Sequence, residues 1–168
     1  PIPVFPNVPT AVTTAATNND DSAPWVAVDP LNPLKMVVAY TNRDTSSGTT
    51  VIRARARVTS NGGVTWAALN LPGNLIDPTT GTSPAPFTFG QAIGVGFDQN
   101  EDFTIGVLQN KDLAAGGNSG VVVTHKYDFS GGAVSVISTN NFVYRWDQTN
   151  TTLDPGAVLA ELGTDPVG

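Results

Sequence analysis

Sliding the sequence along itself by 69 residues lays W-V-A-V-D (25–29) on G-V-G-F-D (94–98), so that Val26 meets Val95 and Asp29 meets Asp98. No other feature restricts the possible folds as strongly, because a repeated unit must build its core from copies of itself. The same shift places K-M-V-V-A-Y (35–40) on T-I-G-V-L-Q (104–109) and brings V-I-R-A-R-A-R (51–57) within one residue of V-V-V-T-H-K-Y (121–127). It then sets T-S-N-G-G-V-T-W (59–66) on D-F-S-G-G-A-V-S (128–135). Four matches in one order at a nearly constant offset read as a duplicated unit of four strands. Short apolar runs alternate with clusters of Gly, Pro, Asn, Asp and Ser, the punctuation of antiparallel strands. Strands are expected at 25–29, 35–41, 51–58, 65–71, 92–97, 103–109, 120–127, 133–138 and 142–146, with one helical turn at 156–162.

Polarity in this chain comes from Thr, Asn, Ser and Gly, and only 13% of residues are charged. That balance suits exposed β-structure and turns, and it points to a secreted or cell-surface protein, with a bacterial character. Eight Lys and Arg against a net charge of −6 leave no clustered basic footprint for nucleic acid. The absence of Cys excludes a disulfide framework, a thiolate metal site and a thiol nucleophile. No apolar run approaches the ~18–20 residues of a membrane span. The first residue is Pro1 and not Met, which reads as a processed or trimmed amino terminus. Residues 1–22 hold four prolines and no periodicity, and read as an extended arm. The expected organisation is an arm at 1–22, a first unit at 23–72, a connecting loop at 73–91, a second unit at 92–138, and a strand and tail at 139–168.

Thr59, Asn61, Gly63, Thr65 and Trp66 resemble the Asp-box, or BNR, repeat of sialidase-like β-propellers: Ser or Thr, any, Asp, any, Gly, any, Thr, Trp. Asn61 stands where Asp is usual. The phrase A-P-W-V-A-V-D-P-L-N-P-L-K-M-V-V-A-Y is similar to the first two strands of a blade in that family, joined by a turn at Asp29-Pro30 and Asn32-Pro33. The second copy of the box keeps two glycines and loses Thr and Trp. The resemblance covers roughly residues 23–138 and implies an all-β fold of four-stranded antiparallel propeller-type blades, two of them visible. In the family the box is a structural clasp away from the substrate pocket. Residue chemistry agrees: Asn61 can hydrogen-bond turn amides, the glycines allow φ > 0, and Trp66 can cover the turn. Propellers close with four to eight blades, so two imply an incomplete propeller or sheets completed by other chains.

Further patterns bear on chemistry. Asp98, Asn100 and Asp102 have the alternating oxygen spacing of a calcium loop, but Phe103 and Gln109 occupy the positions where Gly and Glu are expected; a polar hairpin is the other reading. Asn19-Asp20-Asp21-Ser22 is a second oxygen-rich stretch. Arg53, Arg55 and Arg57 alternate with Ala54 and Ala56, which on a strand aligns three guanidiniums on one face, suited to carboxylates or sulfates of an acidic glycan. A solvated face, or protection of a sheet edge, explains the same pattern. His125, in V-V-V-T-H-K-Y, reads as a strand residue and not as a base or zinc ligand. No G-x-S-x-G elbow occurs, and the Gly pairs at 62–63, 116–117 and 131–132 precede no helix that could hold a phosphate. Asn150-Thr151-Thr152 matches a glycosylation acceptor.

The sialidase resemblance implies a pocket with an arginine cluster, a Tyr–Glu pair and an Asp acid/base. Arg43, Arg145, Tyr40, Tyr127, Tyr144, Glu101 and Glu161 offer the residue types, but none lies in a family active-site motif, and the Phe/Tyr-Arg-Ile-Pro segment is absent. The expected role is therefore a non-catalytic structural or adhesive module, as in a filament or sheath subunit. Its partners would be other chains, or missing blades, along open sheet edges, with glycans as further ligands. The alternatives are a fragment of a sialidase-like glycoside hydrolase, and a compact β-sandwich.

Overall fold

The computed structural model describes residues 19–45, 48, 50–72, 89–112 and 118–147. These form eight strands and no helix: β1 (Asn19–Val28), β2 (Met36–Asp44), β3 (Val51–Thr59), β4 (Ala67–Leu69), β5 (Phe89–Phe97), β6 (Asp102–Asp112), β7 (Asn118–Asp128) and β8 (Ser135–Asp147). They make one mixed, open sheet in the order β1-β2-β3-β5-β6-β7-β8, with β4 on the flank of β3. Strands β1 to β4 are one antiparallel meander and β5 to β8 another. A parallel bridge between Ile52 and Phe89 joins them. Gly90 lies against β3 at that junction, where a Cβ would sit 3.4 Å from the Ala54 amide nitrogen and 3.6 Å from the Arg53 Cα, in ordinary contact.

The repeat is visible in the pairing. Val58 faces Ala67 across β3 and β4, and Tyr127 faces Val136 across β7 and β8, each residue displaced by the same 69 positions. On the second strand the offset differs. Val38 lies opposite Arg57 and Thr104 opposite Lys126, which makes Val38 the counterpart of Thr104, three residues short of the sequence match. Two of the three residues come from a shorter first turn in the second meander, where Asp98 N donates to Asp102 O at 2.8 Å against Asp29 N to Lys35 O at 3.0 Å, and the register against the third strand supplies the last one. An odd slip exchanges the faces of a strand. The pairing thus sets Val37 beside Phe103 in the repeat, not beside Gly106.

Counterpart positions share one core. Val37, Ala39 and Val58 of the first meander belong to the same apolar cluster as Phe103, Ile105 and Tyr127 of the second, with Phe97, Val107, Val121, Val123 and Phe129. Its centre is aromatic: Phe103 lies 5.2 Å from Tyr127, 5.5 Å from Phe97 and 6.0 Å from Phe129, ring centre to ring centre, within the range where rings attract beyond their burial. A smaller cluster of Ile93, Leu108 and Val122 lies against Phe89.

Several boundaries differ from the sequence reading. Strand β1 begins at Asn19, so the oxygen-rich end of the arm pairs with Thr41–Asp44. Strand β5 begins inside the expected connecting loop. The runs 133–138 and 142–146 are one strand, β8, irregular opposite Val122–Tyr127, where Asn140 takes a φ of 56°. The segment 65–71 shortens to β4. The helical turn at 156–162, the acceptor Asn150, Glu161, residues 1–18 and most of the tail lie outside the described residues.

Candidate functional site

Turns from both meanders gather around two lysines. Lys35, at the start of β2, is buried; its Nζ donates to Ser130 O at 3.1 Å, pairs with Glu101 Oε1 at 3.1 Å, and lies 5.5 Å from the centre of the Phe129 ring. A residue of the first meander therefore ties the β5–β6 and β7–β8 turns of the second. Its direction inward follows from the β2 alternation, which places Lys35 on the same face as Val37 and Ala39. Lys126, on β7, pairs with Asp98 Oδ2 at 2.9 Å and Asp102 Oδ2 at 3.0 Å. Asp98 Oδ1 also accepts from the amides of Asn100 and Asp102. Burial raises the Asp98 pKa, but the Lys126 ammonium and these amides outweigh it and hold the carboxyl below its usual range. The same two carboxylates raise the Lys126 pKa. Both acids of the expected calcium loop thus surround an ammonium from β7, and among the described residues no three His, Asp or Glu side chains converge as metal ligands.

The turn between β3 and β4 is held by side chains. Thr59 Oγ1 accepts from the Gly63 amide at 3.1 Å and the Asn61 amide at 3.3 Å, and donates to Asn61 Oδ1 at 2.8 Å. Asn61 Oδ1 accepts from the Thr65 amide at 3.0 Å, while its Nδ2 donates to Thr65 Oγ1 at 2.8 Å. Gly62 N donates to Leu34 O, fastening this turn to the β1–β2 turn. At φ 88°, Gly63 needs the left-handed region, and a Cβ would meet Met36 Cε at 3.6 Å and Trp66 Cζ2 at 3.7 Å, ordinary contacts. Gly63→Ala is therefore expected to cost about 1–2 kcal/mol through backbone strain and not through a clash. A denaturant midpoint unchanged from wild type would contradict this. In the second copy Asp128 Oδ1 accepts from the Ser130 amide, occupying the place of Thr59. Bonds from the Ser130 hydroxyl and amide hold the Asp128 carboxyl below its usual range.

Arg53, Arg55 and Arg57 point to the outward face of β3, opposite Ala54, Ala56 and Val58 on the core side; Arg53 and Arg55 are exposed and Arg57 is half-buried. Their cross-strand neighbours on β2 are Asn42, Tyr40 and Val38.

The sialidase-type residues are dispersed. Arg43 pairs with Asp20 at the exposed end of β1 and β2. Glu101 is held by Lys35, Tyr40 lies on the outward face of the first meander, and Tyr127 is buried in the core, where burial pushes its hydroxyl up to about 12. Tyr144 is exposed on β8. His125 is fully buried on β7: its Nδ1 accepts from the Asn140 amide at 3.2 Å, its Nε2 has no partner among the described residues, and burial lowers its pKa to about 4. A neutral imidazole in that position packs and orders β8. Sequence reading placed Lys35 and Lys126 in no role, since nothing local marks a strand lysine as turning to a tertiary partner.

No helix among the described residues is long and apolar enough to cross a membrane. No protein-family model matches this chain, and no curated protein matches it either.

Proposed function

We propose that the chain is a non-catalytic structural or adhesive module of a secreted or cell-surface protein, resembling sialidase-like propeller blades in its four-stranded units, and that other chains complete its sheet along the edges. The observation that supports this reading most is the open sheet. Strand β8 is 13 residues long, ends the strand order, and exposes Val136, Ile137, Phe142, Val143 and Tyr144. At the other end β1 exposes Val26 and Val28. A long apolar edge is a template for strand addition unless charge, Pro or a cover blunts it. Counterpart faces of the two units already share a core, which leaves edges, more than inner faces, for neighbours. Contacts of this head-to-tail kind close into rings or run on as filaments, according to the rotation between copies.

Light scattering tests the proposal. The chain is expected to assemble with rising concentration, and a variant carrying Val136→Lys and Val143→Lys on β8 is expected to remain monomeric with an unchanged circular dichroism spectrum. A wild type that stays monomeric at every concentration reached would remove it. Turnover of a fluorogenic sialoside by the chain would favour the glycosidase alternative.

A further inference from the structure

The geometry points to the outward face of β3 as a binding strip for a linear anionic polysaccharide bearing carboxylates or sulfates, held by Arg53, Arg55 and Arg57. Three observations combine. First, β3 lies inside the strand order: β2 pairs along its whole length, and on its other side β5 bridges Ile52 while β4 pairs Ala56–Val58. Guarding a sheet edge, one reason for alternating arginines, does not apply here. Second, among the described residues no side chain pairs with any of the three guanidiniums, and the buried Arg57 Nε has no hydrogen-bond partner there. Lys35, Lys126 and Arg43 each have a carboxylate. Among the described residues the aligned cations of this acidic chain, net charge −6, thus have no carboxylate beside them. Third, alternate positions of a strand step by about 7 Å, so the row is a straight line of charge, exposed at Arg53 and Arg55 and half-buried at Arg57, over the buried Tyr40 and Val38 of β2.

Charge density and backbone demands select the ligand. Duplex nucleic acid carries a charge every ~1.7 Å and draws on many cations, which three arginines on an acidic protein do not supply. An acidic peptide could match the step, but on the face of an interior strand its amides and carbonyls would find no ladder to join; sheets take peptides at their edges. A polysaccharide with charges spaced by whole sugar units has no such requirement, and each carboxylate or sulfate fits the two-pronged guanidinium. The site lies on a face and the proposed assembly on edges, so the two stand or fall separately.

Calorimetric titration of the chain at low salt decides it, with a uronate polymer and a sulfated polymer as separate arms to distinguish the two anion sources. Binding of at least one is expected, weakening steeply with salt. Arg53→Glu with Arg55→Glu, both exposed and remote from the core, is expected to lower affinity on the order of tenfold or more while the thermal midpoint stays put. Arg43→Glu, a reversal of the same sign elsewhere, is expected to leave binding within about twofold. Failure of wild type to bind either polymer, equal loss in the Arg43 variant, or tighter binding of polyglutamate or single-stranded DNA than of both polysaccharides would each overturn the assignment.

Discussion

Between pH 6.5 and about 4 the folded chain is expected to lose about 3 kcal/mol of stability through one side chain, His125. Burial disfavours the imidazolium, so the native state holds a neutral ring until the pH reaches about 4, while the unfolded chain takes up its proton near the ordinary value of 6.5. Above 6.5 neither state is protonated and the contribution is intact. As the pH falls, the unfolded state alone gains protons and is stabilised by mass action; below the folded value both are charged and the loss levels off. Asp98 and Asp128, both held below their usual value of 3.8, act in a lower window, where stability falls as they protonate. The two ranges therefore separate. Protonation at Nδ1 would also cost the Asn140 amide its acceptor, at the bend of β8. Urea titrations from pH 7.5 to 4 measure the effect. His125→Leu should flatten that curve while lowering stability at pH 7 by about 1 kcal/mol, since the Asn140 amide loses its partner. An unchanged slope in the variant would show that the imidazole is not held neutral.

Lys35→Met is expected to destabilise the protein by roughly 2–3 kcal/mol at neutral pH. Methionine keeps most of the stem and so the packing on Phe129, but Ser130 O loses its donor and Glu101 its counter-ion. The lower end of the cost for breaking a buried pair applies, because Glu101 is 23% exposed and water can solvate part of its charge. Adding Glu101→Gln should restore about half of the loss, as the stranded carboxylate is removed. Arg43→Ala, at the exposed Asp20 pair, is the contrast, expected within about 0.5 kcal/mol of wild type. If the Lys35 variant behaved like the Arg43 one, the two meanders would not be coupled through this residue.

What could be read from the chain was whatever depends on neighbours in sequence. Alternation in V-I-R-A-R-A-R set which side chains of β3 face outward. Thr59, Asn61 and the paired glycines foretold the β3–β4 turn, since its hydrogen bonds stay within five residues. Asp29 and Asp98 marked the first turns by accepting from amides two residues on. Less could be read where a distant partner decides. Asn19-Asp20-Asp21-Ser22 has the composition of a loop yet forms strand, because β2 offers it a ladder and Asn42 Nδ2 donates to Asp21 Oδ1. Asp98 and Asp102 suggested a cation, and Lys126, from β7, is the one beside them.

The sequence by itself determined the strand content, the duplication and the turn chemistry, all of which rest on short-range alternation and local hydrogen bonds. Tertiary structure alone decided the registers of β2 against β3 and of β6 against β7, which together shift the second strand by an odd number of residues and exchange its faces. It also decided that counterpart faces meet in one core, that Lys35 bridges the halves, and that β3 is interior while β8 is an edge. These depend on which backbone lies alongside which, and strand pairing over tens of residues leaves no mark within either strand.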